Sequence, residues 1–403
     1  MALMAEQPGS SRDEAKVSAV SARGRNQSDM RAHNERLILS LIRRHGELSK
    51  TEVSRLSGLS AQTTSVIMRT LEAGNLVKRG TPVRGQIGQP SVPMSINPEG
   101  AFFYGLSLGR RNTELILTDL TGQVRETIQQ EYEYPTPAGA ISFVRSGIKS
   151  INAKLNRTER HRISGLGIAI PFDLWAWTDR AGVPATVYEA WRDADIQKEL
   201  SKWLKIPIYA QNDATAACGA ELFLGPPREA QDILYFFVGW FVGGGIVLGG
   251  SLYNGRSGNA GALGSVLVPY RDGSVGQLLQ VASLSLLEKA LNQRDIDSSV
   301  FWTSPESWGE IENKTGEWLA QAADGLAHAI VSACSVIDFE LVVIDGWLPN
   351  TVREKLVLAT NARLNAVVSD GLRLPPVTAG SVGVHATAIG AACLALRKRF
   401  MIN

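Results

Sequence analysis

An amide and a carboxylate stand side by side at Asn212 and Asp213, after the alternating apolar residues Ile206, Ile208, Tyr209 and Ala210 and before an Ala-rich run from Ala214 to Leu224 that stops at Gly225. Together they offer donors and acceptors suited to the hydroxyls of a small polyol. The flanking pattern reads as a short strand, a polar tip at Gln211-Asn212-Asp213, and a helix. In an open α/β sheet, ligands bind just beyond the carboxyl ends of strands, which puts the pair where a ligand is expected. The alternative is a helix cap, because Asn and Asp also head the N-cap preferences.

A second region of chemical interest is set apart by charge. The net charge is only +2, yet residues 1–98 hold 14 Lys+Arg against 8 Asp+Glu, while the remainder holds 27 against 31. A basic module joined to a near-neutral body favours a polyanion partner. Residues 1–30 are poor in large apolar side chains and are expected to be disordered. From His33 a helical period takes over, with Leu37, Ile38, Leu41 and Ile42 on one face and Gly46 as a stop. Ser49-Lys50-Thr51-Glu52 forms a capping box, Val53 and Leu56 are expected to face inward, and Gly58 ends that helix. Ser60 caps a third helix to about Ala73. Its inward side is expected to gather Thr63, Val66, Ile67, Thr70 and Leu71, leaving Gln62, Ser65 and Arg69 outside. Two strands around a basic Gly-rich loop follow, Leu76–Gly80 and Met94–Pro98.

Helix, helix, capped helix and basic hairpin is the order of a winged helix-turn-helix. Thr51, Ser60, Gln62, Thr63, Thr64, Ser65 and Arg69 are the candidates for DNA contact from the helices. Lys78, Arg79, Arg84, Gln86 and Gln89 are the candidates from the wing, with the cations placed to neutralise phosphates.

Composition restricts the remaining possibilities. At 403 residues, 44% hydrophobic and 20% charged, the chain implies a multi-domain globular protein. The start carries no apolar run of signal-peptide length, so a cytoplasmic location is expected. Residues 233–250 are uncharged but interrupted by Gly243-Gly244-Gly245, which reads as a buried hairpin with a glycine turn and no membrane span. Cys218, Cys334 and Cys393 lie far apart, giving no disulfide framework and no zinc cluster.

After Pro98 the period becomes that of strands: Ala101–Leu108, Thr113–Asp119, Val124–Glu133, a helix near Ile141–Asn156, and a buried strand Ile163–Pro171. The motif Asn212-Asp213-Ala214-x-Ala216-Ala217-x-Gly219-x-Glu221 resembles the signature of the ROK family of repressors, open reading frames and sugar kinases. The resemblance runs from His33 to the C-terminus. It implies an actin-like, RNase H-like two-lobed sugar-kinase body: lobe one over 99–213, lobe two over 214–384, and a last helix, 386–399, returning to lobe one.

The kinase motifs of that family are altered here. Where kinases carry Asp-x-Gly-Gly-Thr, this chain has Ser107-Leu108-Gly109-Arg110-Arg111, without the magnesium carboxylate. The second phosphate turn reads Gly239-Trp240-Phe241-Val242-Gly243-Gly244-Gly245, and the adenosine-side Gly-Gly reads Asp345-Gly346. On the sugar side Gly258-Asn259-Ala260-Gly261-Ala262-Leu263-Gly264-Ser265 puts Ala262 and Ser265 in place of a sugar-binding Glu and a zinc-binding His, the following loop has no Cys, and Leu279 replaces a later Glu. The resemblance therefore implies a non-enzymatic transcriptional regulator with no catalytic residues, metal or cofactor. Asn212, Asp213, Gly261, Ala262 and Ser265 are its candidate effector contacts. The expected partners are a carbohydrate-related effector, a palindromic operator and one or three further copies of the chain. A sugar kinase with an appended DNA-binding domain and a ligand-free dimerisation body are the alternatives.

Overall fold

The computed structural model describes residues 27–82, 92–171 and 185–402. At the N-terminus, α1 (Gln27–His45), α2 (Lys50–Ser57) and α3 (Ala61–Ala73) are joined by tight glycine turns. The capping box forms: Ser49 N donates to Glu52 Oε2 at 2.8 Å, and Glu52 N donates to Ser49 Oγ at 3.3 Å. Gly58 closes α2 at φ 71, a conformation a side chain resists. Strands β1 (Glu47–Leu48), β2 (Val77–Arg79) and β3 (Met94–Ile96) make an antiparallel sheet with β3 in the centre. Arg84, Gln86 and Gln89 fall in 83–91, outside the described residues.

Three expectations for this domain are corrected. The helical period was placed from His33, but α1 begins at Gln27, because its first turns face solvent and carry no apolar stripe to read. The buried side of α3 is Thr64, Ile67, Met68 and Leu71, an i, i+3, i+4, i+7 stripe one step removed from the expected one. Val66 is therefore 48% exposed and Thr64 fully buried, so Thr64 is not available to DNA. Leu56 also turns outward, since the two-turn α2 buries only Val53.

The body contains two five-stranded sheets with one topology used twice. In the first, β4 (Phe102–Leu108), β5 (Asn112–Asp119) and β6 (Val124–Glu131) form an antiparallel meander. After α4 (Pro137–Lys154), β7 (Ile163–Ile170) and β8 (Ile208–Asn212) add in parallel on the other side of β4. The second sheet repeats this with β9 (Ile233–Val238), β10 (Val242–Leu248) and β11 (Ser251–Tyr253) as the meander. A small hairpin, β12 (Leu267–Pro269) and β13 (Val275–Gln277), follows. Strands β14 (Leu341–Gly346) and β15 (Val377–Ala379) are the parallel additions.

Four longer helices position the parts: α5 (Asp213–Leu224), α6 (Gly316–Cys334), α7 (Asn350–Leu364) and α8 (Ala386–Phe400). The polar tip expected at 211–213 is absorbed into the end of β8 and the start of α5. The glycine triplet is not the hairpin turn; that turn is Gly239-Trp240-Phe241, and the triplet lies inside β10. The reason is close packing, since a Cβ at Gly245 would sit 2.5 Å from Cys218 Cβ on α5.

Helix α8 lies between the first sheet and α5 with almost no clearance. A Cβ added at Gly167 would meet Ala391 O at 1.7 Å, and one at Gly390 would meet Ala216 O at 1.8 Å. One hydrophobic cluster then joins α1 (Ile38, Leu39, Ile42) to Phe103, Ile389, Leu396 and Met401 of the body. The N-terminal domain and the body thus share a core.

Candidate effector cleft and nucleic-acid interface

A cavity of about 590 Å³ opens between the two sheets and is lined by Asn212, Asp213, Gly261, Ala262 and Ser265 among others. Asn212 is the N-cap of α5: its Oδ1 accepts from Thr215 N at 3.1 Å. The residue that caps α5 thus also lines the cavity. Asp213 Oδ1 accepts from Ala214 N at 2.8 Å. Burial raises the Asp213 carboxyl above the usual carboxylate range, opposed by that hydrogen bond and by the Arg110 guanidinium nearby.

Another part of the lining is built from cations laid on aromatic rings. Arg110 lies 4.6 Å over the Phe241 ring and Arg111 4.6 Å over Trp240. Trp240 in turn meets Trp302 at 5.7 Å, and Trp302 stacks on Trp347 at 6.3 Å. Arg111 is also drawn toward Glu288 at 3.6 Å. The Ser107 hydroxyl is paired with Thr387 Oγ1 at 2.8 Å. Trp302 and Trp347 were not singled out from the sequence. They come from segments far downstream of the β4–β5 turn, and no local pattern marks them as cleft residues.

Asp345, expected on the adenosine side, is fully buried and bound from three directions. Arg353 Nη1 donates to it at 2.6 Å, Gly383 N at 3.1 Å and Tyr235 OH at 3.2 Å. Burial raises its carboxyl while Arg353 opposes the rise. Glu221, the last residue of the motif, is likewise structural, pairing with Arg228 at 2.6 Å and accepting from Ser381 N at 2.9 Å.

In the N-terminal domain, α3 presents Gln62, Val66 and Arg69 to solvent, with Thr63 and Ser65 partly covered. Val66 is an addition to the sequence-based set; an exposed aliphatic on a reading helix suits contact with a thymine methyl. The Ser60 hydroxyl is engaged in capping, accepting from Thr63 N at 3.1 Å. Thr51 is exposed on the first turn of α2. Lys78 is exposed on β2, whereas Arg79 is held by Glu72 at 2.6 and 3.0 Å.

The domain bearing α3 is fixed to the body through α1. Arg43 donates to the Phe223 carbonyl at 2.6 Å and lies 3.1 Å over its ring, while Ile402 N donates to Ser40 Oγ at 3.0 Å. Helix α5 therefore begins in the cleft, at Asn212 and Asp213, and ends against the DNA-binding domain, at Phe223.

A winged helix-turn-helix sharing its core with a two-sheet body that holds a ligand-sized cleft defines a DNA-binding transcriptional regulator built on a sugar-kinase-like frame. Comparison with known proteins gives the family. Residues 31–78 match the winged helix-turn-helix DNA-binding family and residues 103–398 match the ROK family. The chain belongs to the ROK family. It is 25% identical over 370 residues to an uncharacterized protein of Sinorhizobium fredii, covering 91% of each chain. It is 20% identical over 378 residues to the xylose repressor of Bacillus subtilis, covering 91% of this chain and 95% of that one. A transcriptional regulator of Mycobacterium tuberculosis is 29% identical over 227 residues, 55% of this chain and 50% of the relative. In fold, the chain is similar to a ROK family transcriptional regulator described as a homolog of the E. coli MLC protein, with a TM-score of 0.65, 20% identity, and coverage of 92% and 98%. A ROK glucokinase from Streptomyces griseus matches the body with a TM-score of 0.56 and 17% identity, covering 73% of this chain and 99% of the kinase. Among the described residues no helix is long and apolar enough to cross a membrane.

Proposed function

We propose that this chain is a cytoplasmic repressor of carbohydrate uptake or catabolism genes whose body senses a sugar or sugar-derived effector without catalysing a reaction on it. The observation that carries the reading is the arginine-aromatic wall that shares the cleft with Asp213. A phosphoryl-transfer site needs a phosphate cradle and carboxylate or hydroxyl ligands for magnesium. Here the cradle corner is filled by Arg110 and Arg111 on Phe241 and Trp240, and Ser107 is already engaged by Thr387. Those residues do not fit a magnesium nucleotide, and Ser265 and Ala262 supply no zinc ligand. Asp213 then acts as an acceptor for ligand hydroxyls, with Asn212, Gly261, Ala262 and Ser265 shaping the rest of the pocket. The xylose repressor among the relatives supports a monosaccharide-sized ligand.

At the DNA, Gln62, Ser65, Val66 and Arg69 read the major groove, with Thr51, Ser60 and Thr63 at its edge. Lys78, Arg79 and Arg84, flanked by Gln86 and Gln89, contact phosphates. A homodimer or homotetramer would place paired winged domains on a palindromic operator. Effector and operator are then coupled through the cleft, with a factor of about 5 to 150 in affinity typical of such coupling. The test is to titrate xylose, glucose and their phosphates into wild type and Asp213→Ala, with and without operator. Tighter sugar binding in one condition, lost in Asp213→Ala, is expected. Equal affinity with and without operator removes the coupling, undiminished binding by Asp213→Ala moves the pocket elsewhere, and sugar-dependent ADP release overturns the non-enzymatic reading.

A further inference from the structure

A second cavity, of about 820 Å³, lies where α1 of the DNA-binding domain meets the far end of α5, the β10–β11 turn and the tail of α8. Its wall carries Arg43 and Arg44 from α1, Arg228 and Glu221 from the body, and Arg397 from α8. The charges do not balance. Glu221 is matched to Arg228 at 2.6 Å, and its other oxygen accepts from Ser381 N and Val382 N at 2.9 and 3.2 Å. Arg43 donates to a carbonyl, not a carboxylate, and has no ion pair among the described residues. The Arg397 side chain has neither an ion pair nor a hydrogen bond among the described residues, and besides Arg43 the titratable groups near it are the thiols of Cys393 and Cys218. Burial pushes both thiols up, which keeps them neutral. Burial also lowers both guanidinium groups, Arg43 to about 10, and Arg397 adds to the depression at Arg43. Two cations from separate domains thus share a partly dehydrated wall on which the acid Glu221 is already matched to Arg228 and no other acid among the described residues pairs with them, an arrangement that costs free energy unless an anion enters.

We propose that this cavity is a binding site for a small oxyanion, inorganic phosphate or a phosphorylated metabolite, held between Arg43 and Arg397 so that it bridges the DNA-binding domain and the body. The planar guanidinium fork matches phosphate oxygens in pairs, and a lowered proton affinity still leaves both groups charged at neutral pH. The site is separate from the effector cleft: the cleft lies at the Asp213 end of α5 and this cavity at its Phe223 end. An anion there contacts α1 and α8 at once, so it favours the docked arrangement by its differential affinity for it.

Isothermal titration of the full chain with inorganic phosphate, glucose 6-phosphate and glucose tests this directly. Phosphate is expected to bind the wild type at millimolar concentration or below with one site per chain. Arg397→Gln should weaken it about tenfold, as expected for loss of a charge-assisted contact, and Arg397→Lys should restore part of that loss. Asp213→Ala in the cleft and Lys78→Gln on the wing should leave phosphate affinity unchanged. Glucose 6-phosphate binding more tightly than phosphate, in a manner sensitive to Arg397, assigns a phosphorylated metabolite; equal affinity assigns phosphate itself. The Arg397 side chain makes no hydrogen bond among the described residues that the substitution would break, and Arg44→Gln at the rim gives a second, smaller weakening should Arg397→Gln not fold. No binding by the wild type, an unchanged affinity in Arg397→Gln, or an equal loss in Lys78→Gln overturns the proposal.

Discussion

The cleft and the joint between α1 and the body are both places where separately formed parts of the chain meet, and they are built from opposite materials. The cleft is walled by stacked arginines, indoles and a recessed carboxylate around open volume. Beside its arginine-lined cavity, the joint is closed by Ile38, Ile42, Ile389, Leu396 and Met401 in one apolar cluster, bounded by helices that approach to backbone contact. A polar, hollow interface can change its spacing at small cost, whereas a packed apolar one moves only as a unit. From that difference we expect movement in the cleft and transmission through the apolar part of the joint.

The largest effect expected comes from overfilling the transmitting side. Gly390→Val pushes a branched side chain into the Ala216 carbonyl, where the backbone cannot yield, and should destabilise by at least about 3 kcal/mol, read as a drop in the urea midpoint. A tolerated valine would mean that α5 and α8 can separate. Arg43→Ala removes the hydrogen bond and ring contact to Phe223 and should cost about 2 kcal/mol in docking of the N-terminal domain, seen as faster proteolysis between α1 and α2. If the comparison holds, Arg110→Ala in the cleft changes effector affinity and leaves that proteolysis rate alone.

On DNA, Gln62→Ala should cost about 1 to 3 kcal/mol on the operator and little on random sequence, while Lys78→Ala should weaken both and flatten the salt slope by about one unit. Arg79→Ala is expected to do less than Lys78→Ala, because Glu72 already neutralises Arg79; equal losses in gel-shift titrations would show that DNA breaks that pair. The smallest effect concerns His385, whose Nδ1 meets Glu114 at 2.6 Å. The Glu114 hydrogen bond raises the folded-state pKa of His385 above the ordinary 6.5, and the Glu114 and Glu306 charges add to it against burial. The group binds its proton more tightly when folded, so its contribution is complete below 6.5 and is lost as pH rises through the folded value. Unfolding midpoints should therefore fall across that window in wild type and less so in His385→Ala.

Local chemistry made much of this legible before any coordinates. A capping box or a strand running into Asn212 with a helix from Asp213 declares itself within a few residues, and the βββαβ order follows from short apolar runs separated by turn residues. The face of α3 was misjudged because Val66 and Ile67 differ by only 100° on the helix, and the apolar Met68 that fixes the phase was overlooked. The glycine triplet was misread as a turn because its true neighbour, Cys218 on α5, is far away in sequence. The cleft was half legible: Arg110, Arg111 and Trp240 stood out as departures from a motif, but Trp302 and Trp347 arrive only through tertiary structure.

The bond from Ile402 to Ser40 spans 362 positions of sequence, and its neighbours in α8 are the surfaces on which α1 sits. During synthesis the reading helix α3 can form early, but the seat for α1 is made only after both sheets have left the ribosome. Closing so long a loop is a slow, late step. The order of manufacture thus imposes a checkpoint: a chain interrupted before α8 leaves Ile38, Leu39 and Ile42 of α1 without their seat in the body.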